Sequence, residues 1–167
     1  MRSENLSNIL KKNGFKDIEL DSIIESKHIL KRSGGNFRQY LFSFYDQNYT
    51  EYSLRSDLSI ASVIKFINYK NQKKTKWSYS GEAYRKQNKN DKSPVIKQTG
   101  FEIFAGNSKP KDDYEVIKTS LEIFKKSKYK NCELNLSNIE IFNVLVNKLI
   151  DLPIRWREKI KRHYSRE

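Results

Sequence analysis

Apolar positions along the chain recur at two spacings, and the switch between them marks the elements. Over Ser3–Asn13, Leu6, Ile9 and Leu10 share one helical face, and Gly14 follows where a terminating glycine sits. Phe15–Leu20 predicts a brief strand, Asp21–Arg32 an irregular segment, and Ser33-Gly34-Gly35-Asn36 a turn. In Gln39–Asp46 the large residues Tyr40, Phe42 and Phe44 oppose Leu41, Ser43 and Tyr45, which predicts a central strand covered on both faces, with Glu51–Leu54 as its shorter partner. From Asp57 the spacing becomes helical, with Ile60, Val63, Ile64 and Ile67 on one stripe and an end near Tyr69.

The longest alternating stretch runs from Lys76 to Gly106. It predicts a long β-hairpin around a polar, Lys- and Asn-rich connection. Pro110 then suits a helix start, with Asp112 and Asp113 near the positive dipole end and Tyr114, Ile117, Leu121 and Phe124 as the expected buried face. Cys132–Leu136 predicts one more strand, and Ser137–Glu140 a capping box for a helix burying Ile139, Phe142, Leu145 and Leu149. A last helix from Pro153 carries Ile154, Trp156 and Ile160 among basic residues. No repeat, linker or domain boundary interrupts the pattern, so the expectation is one α+β domain over 1–167, a mostly antiparallel sheet flanked by helices.

Composition adjusts this picture in three ways. A net charge of +13 invites phosphate binding, but lysine dominates and is spread along the whole chain, so nucleic acid is not the expected partner. Cys132 is the only cysteine, which excludes an internal disulfide and fits a reducing compartment, the cytoplasm by default. His28 and His163 lack acidic or thiol neighbours at ligand spacing, so neither a metal nor another cofactor is expected. No apolar run reaches the ~20 residues that span a bilayer, and the N-terminus lacks the apolar core of a secretion signal.

Candidate chemistry sits in the hairpin. Gln98 and Glu102 share a strand face with Gly100 between them, roughly 13 Å apart at strand spacing, which leaves room for a small ligand or, more blandly, marks a solvated face with a glycine at a twist. Ser56 or Asp57 is suited to cap the helix that follows. The basic C-terminal segment is a candidate phosphate surface, though cations in a last helical turn also simply suit the dipole.

The order of motifs resembles the catalytic core of histidyl-tRNA synthetase and its paralogue, the regulatory subunit of ATP phosphoribosyltransferase. SLRSDLSIASVIKF, Ser53 to Phe66, is similar to the family's LRP-acid-x-Thr segment, with Asp57 at the acidic position. SYSGEAYRKQ resembles motif 2 of class II synthetases, with Arg85 at its arginine, and KQTGFEIFAG resembles the Gln-x-Gly-x-Glu strand, with Gln98 and Glu102 in place. KRSGGNFRQYLFSFYD and the LIDLPIRWREKIKR stretch tilt the resemblance toward the regulatory paralogue.

Departures accompany the match. Pro94, Val95 and Ile96 stand where the synthetase carries a charged Arg-Glu-Phe run, Lys86-Gln87 replaces the acid after the motif 2 arginine, and Ser56 and Ser59 replace a proline and a threonine. The glycine- and tyrosine-rich histidine loop and the final arginine motif have no counterpart, so the core is expected to be truncated. The resemblance therefore implies a non-catalytic chain without cofactor. It would bind histidine through Asp57, Arg85, Gln98 and Glu102 and assemble, as a homodimer within a hetero-oligomer, with the short catalytic subunit of ATP phosphoribosyltransferase. The alternative is a histidyl-tRNA synthetase-related or tRNA-binding fragment.

Overall fold

The computed structural model describes residues 3–70, 73–87, 92–127, 132–149 and 151–164, without the side chains of 3–5 and 162–164. The centre of the hairpin connection and the side chains of Arg162 and His163 thus lie outside the described residues. The chain forms two compact units, Met1–Lys130 and Asn131–Glu167.

In the first unit, helix α1 (Ser3–Lys12) buries Ile9 and Leu10 and ends at Gly14, whose φ of 79° only glycine adopts without strain. Strand β1 (Lys16–Asp17) runs parallel to β5 (Thr75–Tyr84), and β5 pairs antiparallel with β6 (Val95–Phe104) to complete a three-stranded sheet, β1-β5-β6. The two expected strands of the hairpin form, paired from Thr75 against Phe104 to Tyr84 against Val95. A second antiparallel sheet has the order β2-β4-β3, from β2 (Ile23–Glu25), β3 (Ser43–Tyr45) and β4 (Glu51–Leu54). The architecture is α+β, as the two spacings predict.

Two short elements differ from expectation. The segment 21–32 is ordered as β2 and helix α2 (Ser26–Ser33), because Ile24 and Ile29 anchor it in a core with Leu41 and Ala61 that its many polar residues conceal. The central strand expected over Gln39–Asp46 is instead an edge of three exposed residues, preceded by a 3-10 turn over Gly35–Tyr40. Its neighbour β4 is paired on both sides and is the centre. Leu41, fully buried, holds the segment, while Phe44 stays 43% exposed and stacks on Tyr52 at 6.4 Å.

Helix α3 (Leu58–Ile67) joins the two sheets. Its contact face is Leu58, Ala61 and Ser62 rather than the expected stripe, since small residues let the helix approach closely, and Val63 and Ile67 are left exposed. Ala61, with half-buried Ile60 and Ile64, belongs to the Ile24–Ile29–Leu41 core, and Leu58 packs with Tyr79 and Ala83 of β5. At its far end Phe66 stacks on Phe104 at 4.5 Å and meets Trp77 edge-on at 5.8 Å, pairs worth roughly 0.5–1.5 kcal/mol each beyond area.

Helix α4 (Lys109–Lys125) starts with Pro110 in its first turn, as expected, but its buried side is not the expected one. Thr119 is fully buried, whereas Tyr114, Leu121 and Phe124 are exposed. Polar links fix that orientation: Lys74 to Asp112, Lys76 to Glu115, and Asn13 to Glu122 at 2.9 Å.

In the second unit, Cys132–Leu136 enters no strand, contrary to expectation, and pairs with no described strand. Helix α5 (Ile139–Lys148) is capped by Asn138, whose Oδ1 accepts from the Glu140 N–H at 2.7 Å. It buries Val146, half-buries Phe142 and exposes Ile139, Leu145 and Leu149. Helix α6 (Ile154–Tyr164) follows Pro153, with Trp156 under the Lys159 ammonium at 5.1 Å. Among the described residues no helix is long and apolar enough to cross a membrane.

Candidate functional site

The register of the β5–β6 hairpin decides which side chains meet. Trp77 lies opposite Glu102, Tyr79 opposite Gly100 and Gly81 opposite Gln98, so odd positions of β5 share a face with even positions of β6. A one-residue slip would separate them. That shared face carries Tyr79 and Ala83, which with Leu58 of α3 form a core cluster, so α3 lies over it.

Three of the predicted residues, Asp57, Arg85 and Glu102, bond to α3 or to the residue before its cap, and Gln98 shares the sheet face of Glu102. Asp57 caps α3, its Oδ1 accepting from the Ile60 N–H at 2.9 Å. Arg85 follows the end of β5, donates from Nε to the Ser56 carbonyl at 2.7 Å, and so leans against the start of the same helix. Glu102 accepts from the Tyr79 hydroxyl at 2.5 Å and from Ser62 of α3 at 2.9 Å. Gln98, half-buried, faces Gly81 across the ladder.

The bare gap expected over Gly100 is filled. A Cβ on Gly100 would stand 2.6 Å from the Tyr79 ring, so that ring occupies the space over the glycine between Gln98 and Glu102. Gly81 is used in the same way: a Cβ there would meet Arg55 Nη2 at 2.6 Å. Both glycines therefore serve close approach by the chain's own side chains. Burial and the hydrogen bond to Glu102 push the Tyr79 phenol up to about 12, so it stays a donor throughout the physiological range.

Three contributors escape sequence reasoning: Tyr79, Ser62 and Arg55. Arg55, only 6% exposed, donates from Nε to the Glu82 carbonyl at 2.8 Å and from Nη1 to the carbonyls of Leu20 and Asp21, and so ties the hairpin to the chain between β1 and β2. Its charge is met by carbonyl dipoles, with no carboxylate bonded to it among the described residues. Tyr79 was legible in principle, because the odd-to-even register that places Arg85 on the face of Gln98 and Glu102 also sets Tyr79 opposite Gly100.

Beside this junction a cleft of about 570 Å³ is bordered by Phe37, Tyr40, Arg85, Lys86 and Lys92. No acidic side chain lines it among the described residues. The Lys86 N–H donates to the Tyr40 carbonyl at 2.9 Å and fixes its wall.

The chain matches the family described as histidyl-tRNA synthetase over residues 2–166. It belongs to the histidyl-tRNA synthetase family. No curated protein matches the chain significantly. Among solved structures, it is similar to a Bacillus halodurans protein described as an ATP phosphoribosyltransferase regulatory subunit/histidyl-tRNA synthetase, at 20% identity and TM-score 0.69, covering 95% of this chain and 42% of that one. It is also similar to apo histidyl-tRNA synthetase of S. aureus, at 18% identity and TM-score 0.60, covering 76% and 34%, and to pyrrolysyl-tRNA synthetase of Desulfitobacterium hafniense, at 14% identity and TM-score 0.65, covering 80% and 48%. These likenesses establish a class II synthetase-like fold. The chain spans less than half the length of each of these proteins.

Proposed function

We propose that this member of the histidyl-tRNA synthetase family is a non-catalytic regulatory subunit that binds histidine and assembles with the short catalytic subunit of ATP phosphoribosyltransferase. The observation that carries the proposal is that Asp57 and Arg85 both bond at the start of α3 while Glu102 bonds to Ser62 of the same helix, with Gln98 on the same sheet face in a register that a one-residue slip would destroy. The likeness to the Bacillus halodurans protein supports it, as do Lys86 and Gln87 after the motif 2 arginine, where the synthetase has an acid.

Histidine offers an ammonium, a carboxylate and an imidazole. The Arg85 guanidinium suits the carboxylate, Gln98 both donates and accepts, and the Asp57 and Glu102 carboxylates suit cationic groups. Asp57 and Glu102 each already accept protein hydrogen bonds, so the ligand's ammonium would share lone pairs held in place by the Ile60 N–H, Tyr79 and Ser62. Regulation requires histidine to favour one assembly state by a coupling of about 1–3 kcal/mol. The test is the condensation of ATP with phosphoribosyl pyrophosphate by the short catalytic subunit, with and without this chain. Stimulation that histidine reverses supports the proposal, and an unchanged rate refutes it.

A second reading, a tRNA-binding fragment, is favoured by the acid-free cleft with Arg85, Lys86 and Lys92 beside Phe37 and Tyr40. Filter binding to tRNA across a salt series separates the two: tight binding that weakens steeply with salt belongs to this reading alone.

A further inference from the structure

The outward face of α4 carries features that neither the junction nor the cleft uses. Tyr114, Ile117, Leu121 and Phe124 follow one another at steps of three, four and three, the spacing of a helix–helix seam. Tyr114 is 66% exposed, Leu121 39% and Phe124 47%, while Ile117 is half-buried. The helix already has its own anchorage on the other side, through Thr119, Asp112 and Glu115. Such a contiguous apolar stripe on an anchored helix is a contact surface rather than a stray exposed residue.

A row of cations runs along one border of the stripe. Lys111, Lys118 and Lys125 recur every seven residues, and none of them pairs with a carboxylate among the described residues. Beside the stripe and this row lies a shallow groove of about 270 Å³, bordered by Tyr114, Ile117, Leu121, Lys118, Lys125 and Glu122, whose carboxylate is already held by Asn13 and Lys126. The other border offers only Asp113, Ser120 and Ser127 at the same interval.

We propose that this face of α4 docks an amphipathic helix of a partner protein whose apolar stripe is bordered by carboxylates. Charge selects this occupant over a second copy of the chain. Antiparallel pairing of two α4 helices would set one lysine row against the other, and parallel pairing would give a single Asp113–Lys118 match from each side. Two chains of net charge +13 also repel on approach. An acidic-bordered helix meets the lysine row directly, its apolar residues filling the groove as in other helix-in-groove complexes.

The test uses the full chain and fluorescence anisotropy of a labelled synthetic peptide of about three heptads, with leucine at the seam positions and glutamate at both borders. Its glutamates prevent the peptide from pairing with itself. A second peptide carries lysine at the borders. The expected result is saturable binding of the glutamate peptide alone, weakening about tenfold from low to high salt. Leu121→Glu should abolish it, and the triple variant Lys111→Glu, Lys118→Glu, Lys125→Glu should prefer the lysine peptide. All four positions are solvent-exposed, so circular dichroism should show the fold retained.

Equal binding of both peptides, or of neither, overturns the proposal. So does binding to phosphatidylserine vesicles with no peptide binding, which marks a lipid surface, or a dimer in sedimentation that Leu121→Glu dissolves, which marks a second copy. The outcome is independent of histidine binding, because no residue of the junction takes part.

Discussion

At the level of single residues, Tyr79 and Glu102 form the central polar contact of the junction, and each constrains what the other can do. Removing the carboxylate with Glu102→Ala takes the charged acceptor from the Tyr79 hydroxyl, in a residue only 3% exposed, and leaves it the Ser59 hydroxyl at 3.2 Å. The expected loss of stability in chemical denaturation is about 1–3 kcal/mol. Tyr79→Phe tests the same contact through pH. The folded-state pKa of about 12 lies above the ordinary tyrosine value near 10, so the phenol's contribution is complete below about pH 10 and is lost as pH rises through 12. Wild type should therefore lose more stability than Tyr79→Phe between those values, and parallel denaturation curves would refute the assignment. Gly100→Ala should cost about 1–3 kcal/mol, because the added methyl meets the Tyr79 ring at 2.6 Å.

Elements show where sequence patterns suffice and where they mislead. The hairpin was legible because both strands alternate over ten residues, and the α1 stop and the Asp57 cap were legible from Gly14 and the acid before an apolar run. The buried faces of α3 and α4 were not. In α3 the expected Ile60 and Ile64 do pack in the core, but its most buried residues are Leu58, Ala61 and Ser62, and in α4 the buried residue is Thr119; Ala61, Ser62 and Thr119 carry little hydrophobic signal. What fixes α4 is a set of links to residues distant in sequence, Asn13, Lys74 and Lys76, and no local period encodes those. The same applies to the candidate site: its four residues could be named from motif order, but the Tyr79 ring over Gly100 depends on strand register. Ala105, at φ 49° between β6 and α4, gives an element-level prediction: Ala105→Gly should relieve left-handed strain and raise stability by about 0.5–1 kcal/mol in denaturant titration.

For the whole molecule, the first unit is held by α3 standing between two small sheets, with Arg55 joining the hairpin to the chain between β1 and β2. The fold is that of the histidyl-tRNA synthetase family over less than half the length of its solved relatives. The proposed role requires this family core to bind histidine without synthetase chemistry. Isothermal titration of the chain with L-histidine, beside Arg85→Ala, tests this. The expected result is saturable heat and a rise in Tm at millimolar histidine, both lost in Arg85→Ala while the fold persists. No heat and no Tm shift at millimolar histidine in the wild-type chain would contradict it.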